Sequence, residues 1–138
     1  MLVEHRGEAG VRYIQRGVVV FLILVVFGVI EPMDGAAQQG ALESGKQLYQ
    51  QRCAPCHGSD GKANTPTAQA LNPKPRDHTD GSYMNALSSE HLFKAIKQGG
   101  TAVGKSPIMP PQTDLSEQQV HDIIAFVRSL ATPPYKGN

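Results

Sequence analysis

The sequence predicts an all-α domain of three main helices wrapped by a long irregular loop, behind an N-terminal hydrophobic segment. Three observations predict it. Apolar residues recur at helical spacing in three stretches flanked by capping residues. Between the first two, residues 58–83 carry Gly58, Gly61, Pro66, Pro73, Pro75 and Gly81, spaced so that no long regular element survives. After residue 37 no alternating strand pattern persists over five residues. At 138 residues the chain has room for one small domain, which excludes a multidomain enzyme. Thirteen Lys and Arg oppose twelve Asp and Glu without any basic block, so the electrostatic footprint of a nucleic-acid binder is missing. The two cysteines are too few for a disulfide scaffold or a four-cysteine metal site.

Residues Val18 to Ile30 form thirteen consecutive apolar or Gly positions, preceded by Arg12 and Arg16 and followed by Glu31, Pro32 and Asp34. A membrane span wants about 20 apolar residues, so this layout reads as a secretory signal. Gly35-Ala36-Ala37 supplies small residues for a cut after Ala37. The competing reading keeps the segment as an anchor with Arg12 and Arg16 on the cytoplasmic side. Residues 1–37 are therefore expected to be a signal peptide or N-terminal membrane anchor, with the functional domain at 38–138. Either way the domain is exported, to the periplasm, as a soluble protein or one tethered through residues 18–30. That part holds ten Lys or Arg against eight Asp or Glu, too small a surplus for a strong steering field.

The first helix is expected over Leu42 to Arg52, with Leu42, Gly45, Leu48 and Tyr49 on one face. Glycine there costs helix propensity, and the expected reason is close approach of another backbone. A middle helix starts near Ser88 or Ser89, carries Leu92, Phe93 and Ile96, and stops at Gly99-Gly100. The last begins at Ser116, with Gln119 completing a capping box, and runs through Val120, Ile123, Ile124, Val127 and Leu130 before Pro133-Pro134. Its stripe is expected to pack on the Gly45/Tyr49 face, with Phe126 near the edge.

Directly after the first helix comes Cys53-Ala54-Pro55-Cys56-His57, the pattern C-x-x-C-H. Two thiols at this spacing can each add across a vinyl group of one haem, and the adjacent imidazole then serves as an axial iron ligand. A thioredoxin-like dithiol would need a preceding strand and a following helix, whereas a helix precedes and a Gly/Pro loop follows. Zinc needs four ligands, and no second cluster stands at finger spacing.

Here the chain resembles the class I, mono-haem c-type cytochromes over nearly all of residues 41–131. Beyond the attachment motif, the likeness rests on Gly45 and Tyr49, on His57-Gly58-Ser59-Asp60-Gly61 with Pro66, and on Lys105-Ser106-Pro107-Ile108-Met109-Pro110-Pro111 ahead of a helix ending Ala125-Phe126-Val127-Arg128-Ser129-Leu130. The resemblance implies the cytochrome c fold around one covalently attached haem c, a cytochrome c domain at 38–138, His57 as proximal ligand, a late-loop methionine as distal ligand, and the Pro66 carbonyl as acceptor for the second nitrogen of His57. Ala63, Asn64 and Thr65 stand where glycines are common in that family.

Met109, in a loop flanked by Pro107, Pro110 and Pro111, is the expected sixth ligand, since His/Met is the usual cytochrome c pair. Met84 is its chief competitor, with apolar packing as its ordinary role. His78, His91 and His121 would each give a bis-imidazole iron, but His91 and His121 read as partly exposed helix residues and His78 as a wrapping-loop residue beside Arg76 and Asp77. Arg76 and Lys105 are candidate partners for the haem propionates. With both axial positions filled, the remaining chemistry is one-electron transfer, at a potential on the higher side for haem, with redox proteins as donor and acceptor and no enzymatic turnover of its own. Two other readings keep the haem: a ligand-binding sensor or small peroxidase whose sixth ligand is labile, and a fixed electron-transfer subunit of a larger oxidoreductase complex.

Overall fold

A computed structural model describes residues 33–137 of the chain; the apolar run at 18–30 lies outside the described residues. Helix α1 spans Met33–Arg52, α2 Ala54–His57, α3 Pro66–Ala70, α4 Gly81–Met84, α5 Ser89–Gln98 and α6 Glu117–Leu130, with a 3-10 turn at Gly100–Val103. Among the described residues the only β pairing is an isolated parallel bridge between Asp80 and Thr132. No helix among them is long and apolar enough to cross a membrane.

Helix α1 starts nine positions before the expected Leu42. Residues 33–41 are mostly small or polar, with Ala36, Ala37, Gln38, Gln39 and Ala41, and residues 35–40 are all exposed. The Ala and Gln are good helix formers, and residues 35–40 bury no face, so no apolar period announces them. Leu42, expected on the buried face, is 38% exposed for the same reason.

The buried half of α1 begins at Gly45. A Cβ there would lie 1.9 Å from the Asp122 carbonyl oxygen and 3.0 Å from the Ile123 nitrogen, so α1 and α6 touch backbone to backbone. Beside this contact the buried Asp122 carboxylate accepts from Ser44 Oγ on one oxygen and from Gln118 Nε2 on the other, each at 2.8 Å. Both oxygens are satisfied, which removes most of the cost of burying the group. One turn on, the fully buried Tyr49 sets its ring 5.1 Å from that of Phe126. Val120, Ile123 and Val127 complete the face.

Helix α5 is capped by Ser88, whose hydroxyl accepts from the His91 amide at 3.0 Å, and it ends at Gly99. Leu92 and Ile96 are its buried positions, and it packs on α6 and on the 3-10 turn. Helix α6 opens with both halves of a capping box between Ser116 and Gln119, as its S-x-x-Q sequence requires. Near its end Arg128 donates to the carbonyls of Met84 (2.7 Å) and Leu87, and its guanidinium lies 3.9 Å from the Tyr135 ring centroid.

The wrapping loop contains the single turns α3 and α4, which are too short to leave a period in sequence. The C-terminal tail fastens this loop. The Thr132 amide donates to the Thr79 carbonyl at 3.0 Å, the Thr132 carbonyl accepts from the Gly81 amide at 3.1 Å, and Asn85 Nδ2 donates to the Pro133 carbonyl.

Candidate functional site

The end of α1 delivers Cys53, whose amide donates to the Tyr49 carbonyl at 2.8 Å, so the motif starts where the helix still holds the chain. Pro55, near the start of α2, has the fixed φ that a first turn accepts, and the amides of Cys56 and His57 both return to the Cys53 carbonyl. Gly58 ends the turn at φ +79°. Cys53 and Cys56 are unpaired thiols, three positions apart on this one turn, and half-buried like His57. Burial pushes the Cys53 thiol up to about 11, against the pull of Arg52, so it stays protonated at neutral pH.

The Nδ1–H of His57 donates to the Arg76 carbonyl at 2.9 Å, which leaves the Nε2 lone pair free for a metal. Burial lowers the pKa of His57, opposed by this hydrogen bond, and the neutral ring is the form that ligates. The expected acceptor, the Pro66 carbonyl, does not take this bond. Pro66 heads α3, capped by the Thr65 hydroxyl on the Ala68 amide at 3.0 Å, and a carbonyl at a first helical position points along the axis to close the helix. Ten residues further on, Arg76 presents its main chain instead. Its guanidinium lies 3.8 Å from the Tyr83 ring centroid. Between His57 and Pro66, Ala63 donates its amide to the His57 carbonyl at 2.8 Å and takes φ +51°, a conformation costing an alanine roughly 1 kcal/mol. This is one of the three positions where the resembling family commonly has glycine.

His78 lies in the wrapping loop, as expected, but its contacts with the motif are ones that sequence reasoning missed. It stacks on His57, with ring centroids 4.2 Å apart and planes 16° apart, and its Nδ1 shares a 3.0 Å hydrogen bond with the Tyr49 hydroxyl. Burial first, then the neighbouring His57 and Arg76, lower its pKa to about 3, so it stays neutral. Tyr49 lies 29 residues earlier in the chain, and nothing local marks the pairing.

Met109 is half-buried and packs against the core cluster. Its carbonyl accepts from the Gly100 amide at 3.0 Å and its amide donates to the Ser106 carbonyl at 3.3 Å. This loop runs so close to the 3-10 turn that a Cβ on Gly100 would sit 2.2 Å from the Ser106 oxygen and 3.2 Å from Met109 Cβ. Met84, the competitor, is 2% exposed inside the core, with its carbonyl held by Arg128. His121 is exposed with its ring 5.3 Å from Phe93, and His91 sits half-buried in the first turn of α5. Lys105 is exposed. Two free thiols on one turn, an imidazole with Nε2 unengaged and a thioether in a tightly bonded loop are a donor set that fits haem c.

Burial raises the Tyr49 phenol well above its ordinary value, helped by charge on Cys53, Asp60 and Asp77. The unfolded phenol ionises near 10 while the folded one stays protonated, so its contribution to stability is complete below about pH 10 and is lost as pH rises beyond it. Denaturant unfolding from pH 9 to 11 is expected to show a loss of stability that Tyr49→Phe makes shallower.

Comparison with known proteins follows the same lines. The family model described as cytochrome c matches residues 42–131. Among curated proteins, the Cbb3-type cytochrome c oxidase subunit FixP of Rhizobium etli is 30% identical over 114 residues, covering 80% of this chain and 38% of that one. Among solved structures, a chain of the reducing HAO-like protein complex of Kuenenia stuttgartiensis matches with a TM-score of 0.56 and 28% identity, covering 64% of this chain and 42% of that one. The chain thus spans well under half the length of either relative.

Proposed function

The chain belongs to the cytochrome c family, with its covalently bound haem c and its role in electron transfer, and on that premise we propose that Cys53 and Cys56 hold one haem by thioethers while His57 and Met109 fill the two axial positions. The observation that carries this reading is the motif turn: both thiols and the imidazole share it, and His57 Nδ1 is already committed to the Arg76 carbonyl. When bound, the haem supplies a one-electron Fe(II)/Fe(III) couple. The chain's own residues decide how that couple is used. His57, neutral and fixed through Arg76, presents Nε2 as the stronger donor. Met109 supplies a soft, uncharged sulfur that favours the ferrous state. With both positions so filled, no site would be left for a substrate, and the chain would carry electrons without activating a ligand. Leu92 and Ile96 belong to the buried core against which Met109 packs, and an apolar lining there would further disfavour the extra ferric charge.

Export to the periplasm rests on the sequence of residues 18–30, and the donor and acceptor are other redox proteins. A fixed place in a redox assembly is a second reading, favoured by the names of both relatives, an oxidase subunit and a member of a complex. Acidic organic extraction of the denatured protein tests the attachment. The pigment is expected to stay with the polypeptide and to leave it in the Cys53→Ser/Cys56→Ser double variant; extraction from the unaltered chain would reject the reading. A mass of the purified protein with one haem added, and its migration alone or in a larger assembly, separates the carrier from the fixed subunit.

A further inference from the structure

We infer that His78 is a positioning residue for the iron-binding imidazole, holding the plane of the His57 ring under the control of Tyr49. This rests on the reading of His57 as an axial ligand and goes beyond it. The hydrogen bond from His57 Nδ1 to the Arg76 carbonyl fixes one edge of the ring, but a single such bond lets the ring rock about the line joining its two atoms. A flat neighbour on the ring face removes that freedom. His78 is that neighbour, within 16° of parallel at 4.2 Å.

His78 is itself fixed at two points. Its amide donates to the Gly61 carbonyl at 2.8 Å, and its Nδ1 is bonded to the Tyr49 hydroxyl at 3.0 Å. Tyr49 has no exposed surface and is wedged against Phe126, one turn from the Gly45 crossing. The backbone-to-backbone crossing of α1 and α6 is therefore joined through Tyr49 and His78 to the face of His57. Simple space filling does not account for the residue type, because leucine or phenylalanine would fill the position without bringing two ring nitrogens into a half-buried site. Histidine suits a role that needs a flat face and a hydrogen-bonded edge together.

The orientation of an axial imidazole sets how unpaired spin is distributed over the porphyrin, so the proton shifts of the haem methyl groups in the ferric holoprotein read it directly. The order and spread of these shifts are to be compared in the wild type, Tyr49→Phe, His78→Phe, His78→Ala and the Tyr49→Phe/His78→Phe double variant, with the midpoint potential of each. His78→Phe keeps the stack and loses the hydrogen bond, so it is expected to shift the methyl pattern as Tyr49→Phe does. His78→Ala, losing both, is expected to shift it further. Tyr49→Phe is expected to add nothing once His78 is phenylalanine, since it acts through that ring. Should His78→Ala fail to hold its fold, the volume-conserving His78→Phe carries the comparison. Low-spin spectra with an unchanged methyl pattern in the His78 variants would overturn the inference alone, as would a Tyr49→Phe effect of full size in the His78→Phe background. A wild-type spectrum without histidine-bound low-spin iron would overturn the axial reading and the inference with it.

Discussion

Gly45→Ala is expected to destabilise the holoprotein by about 3 kcal/mol or more, the upper part of the range for forcing extra atoms into a packed site. The new methyl would sit 1.9 Å from the Asp122 carbonyl oxygen, against the 3.4 Å of ordinary contact. The obstacle is backbone, so no side chain can swing aside, and α1 and α6 have to separate. Separation also loosens Ser44 from Asp122 and Tyr49 from Phe126. Helix propensity opposes this with only about 1 kcal/mol in favour of alanine. Gly40→Ala supplies the opposite sign, because a Cβ there meets nothing within 4 Å and only propensity acts. Denaturant midpoints of the two variants are expected to fall on opposite sides of the wild type. Equal midpoints would mean that the crossing is looser than its geometry.

Met109→Ala is expected to open the iron. The ferrous form should bind carbon monoxide rapidly, the red-end sulfur-to-iron band of the ferric spectrum should vanish, and the midpoint potential should fall by on the order of 100 mV or more, given the span of about 0.8 V that axial ligands command. The loop itself is expected to stay in place. Its bonds from the Gly100 amide and to the Ser106 carbonyl are main-chain bonds that alanine also makes. The change is therefore one of ligation and not of folding. Met84→Leu is the matching control: its side chain lies in the core, so its cost is packing, below about 1.5 kcal/mol, with spectrum and potential unmoved. If Met84→Leu removed the sulfur band and Met109→Ala left it, the two methionines would exchange roles.

What could be read from the chain alone was whatever leaves a local mark. Helix α5 and helix α6 carry cap hydroxyls and an apolar period, and both begin and end where those signals stand. The glycine at 45 announced a close crossing because no helix keeps one there without a reason. The first turns of α1 left no mark, having no buried face. The acceptor for His57 left none either, because any residue can offer a carbonyl and its side chain says nothing about it. His78 was hidden most deeply. Between Asp77 and Thr79 it reads as a loop residue, and only the folded path of the chain brings it to Tyr49 and His57.

The clasp between the tail and the wrapping loop has a bearing on the order of events during biosynthesis. Synthesis runs from the amino end, so Cys53, Cys56 and His57 precede Thr132 and Pro133, and the segment after His78 gains its fastening only once both halves of the clasp exist. Until then no bond from Thr132 holds Thr79 and Gly81 in place.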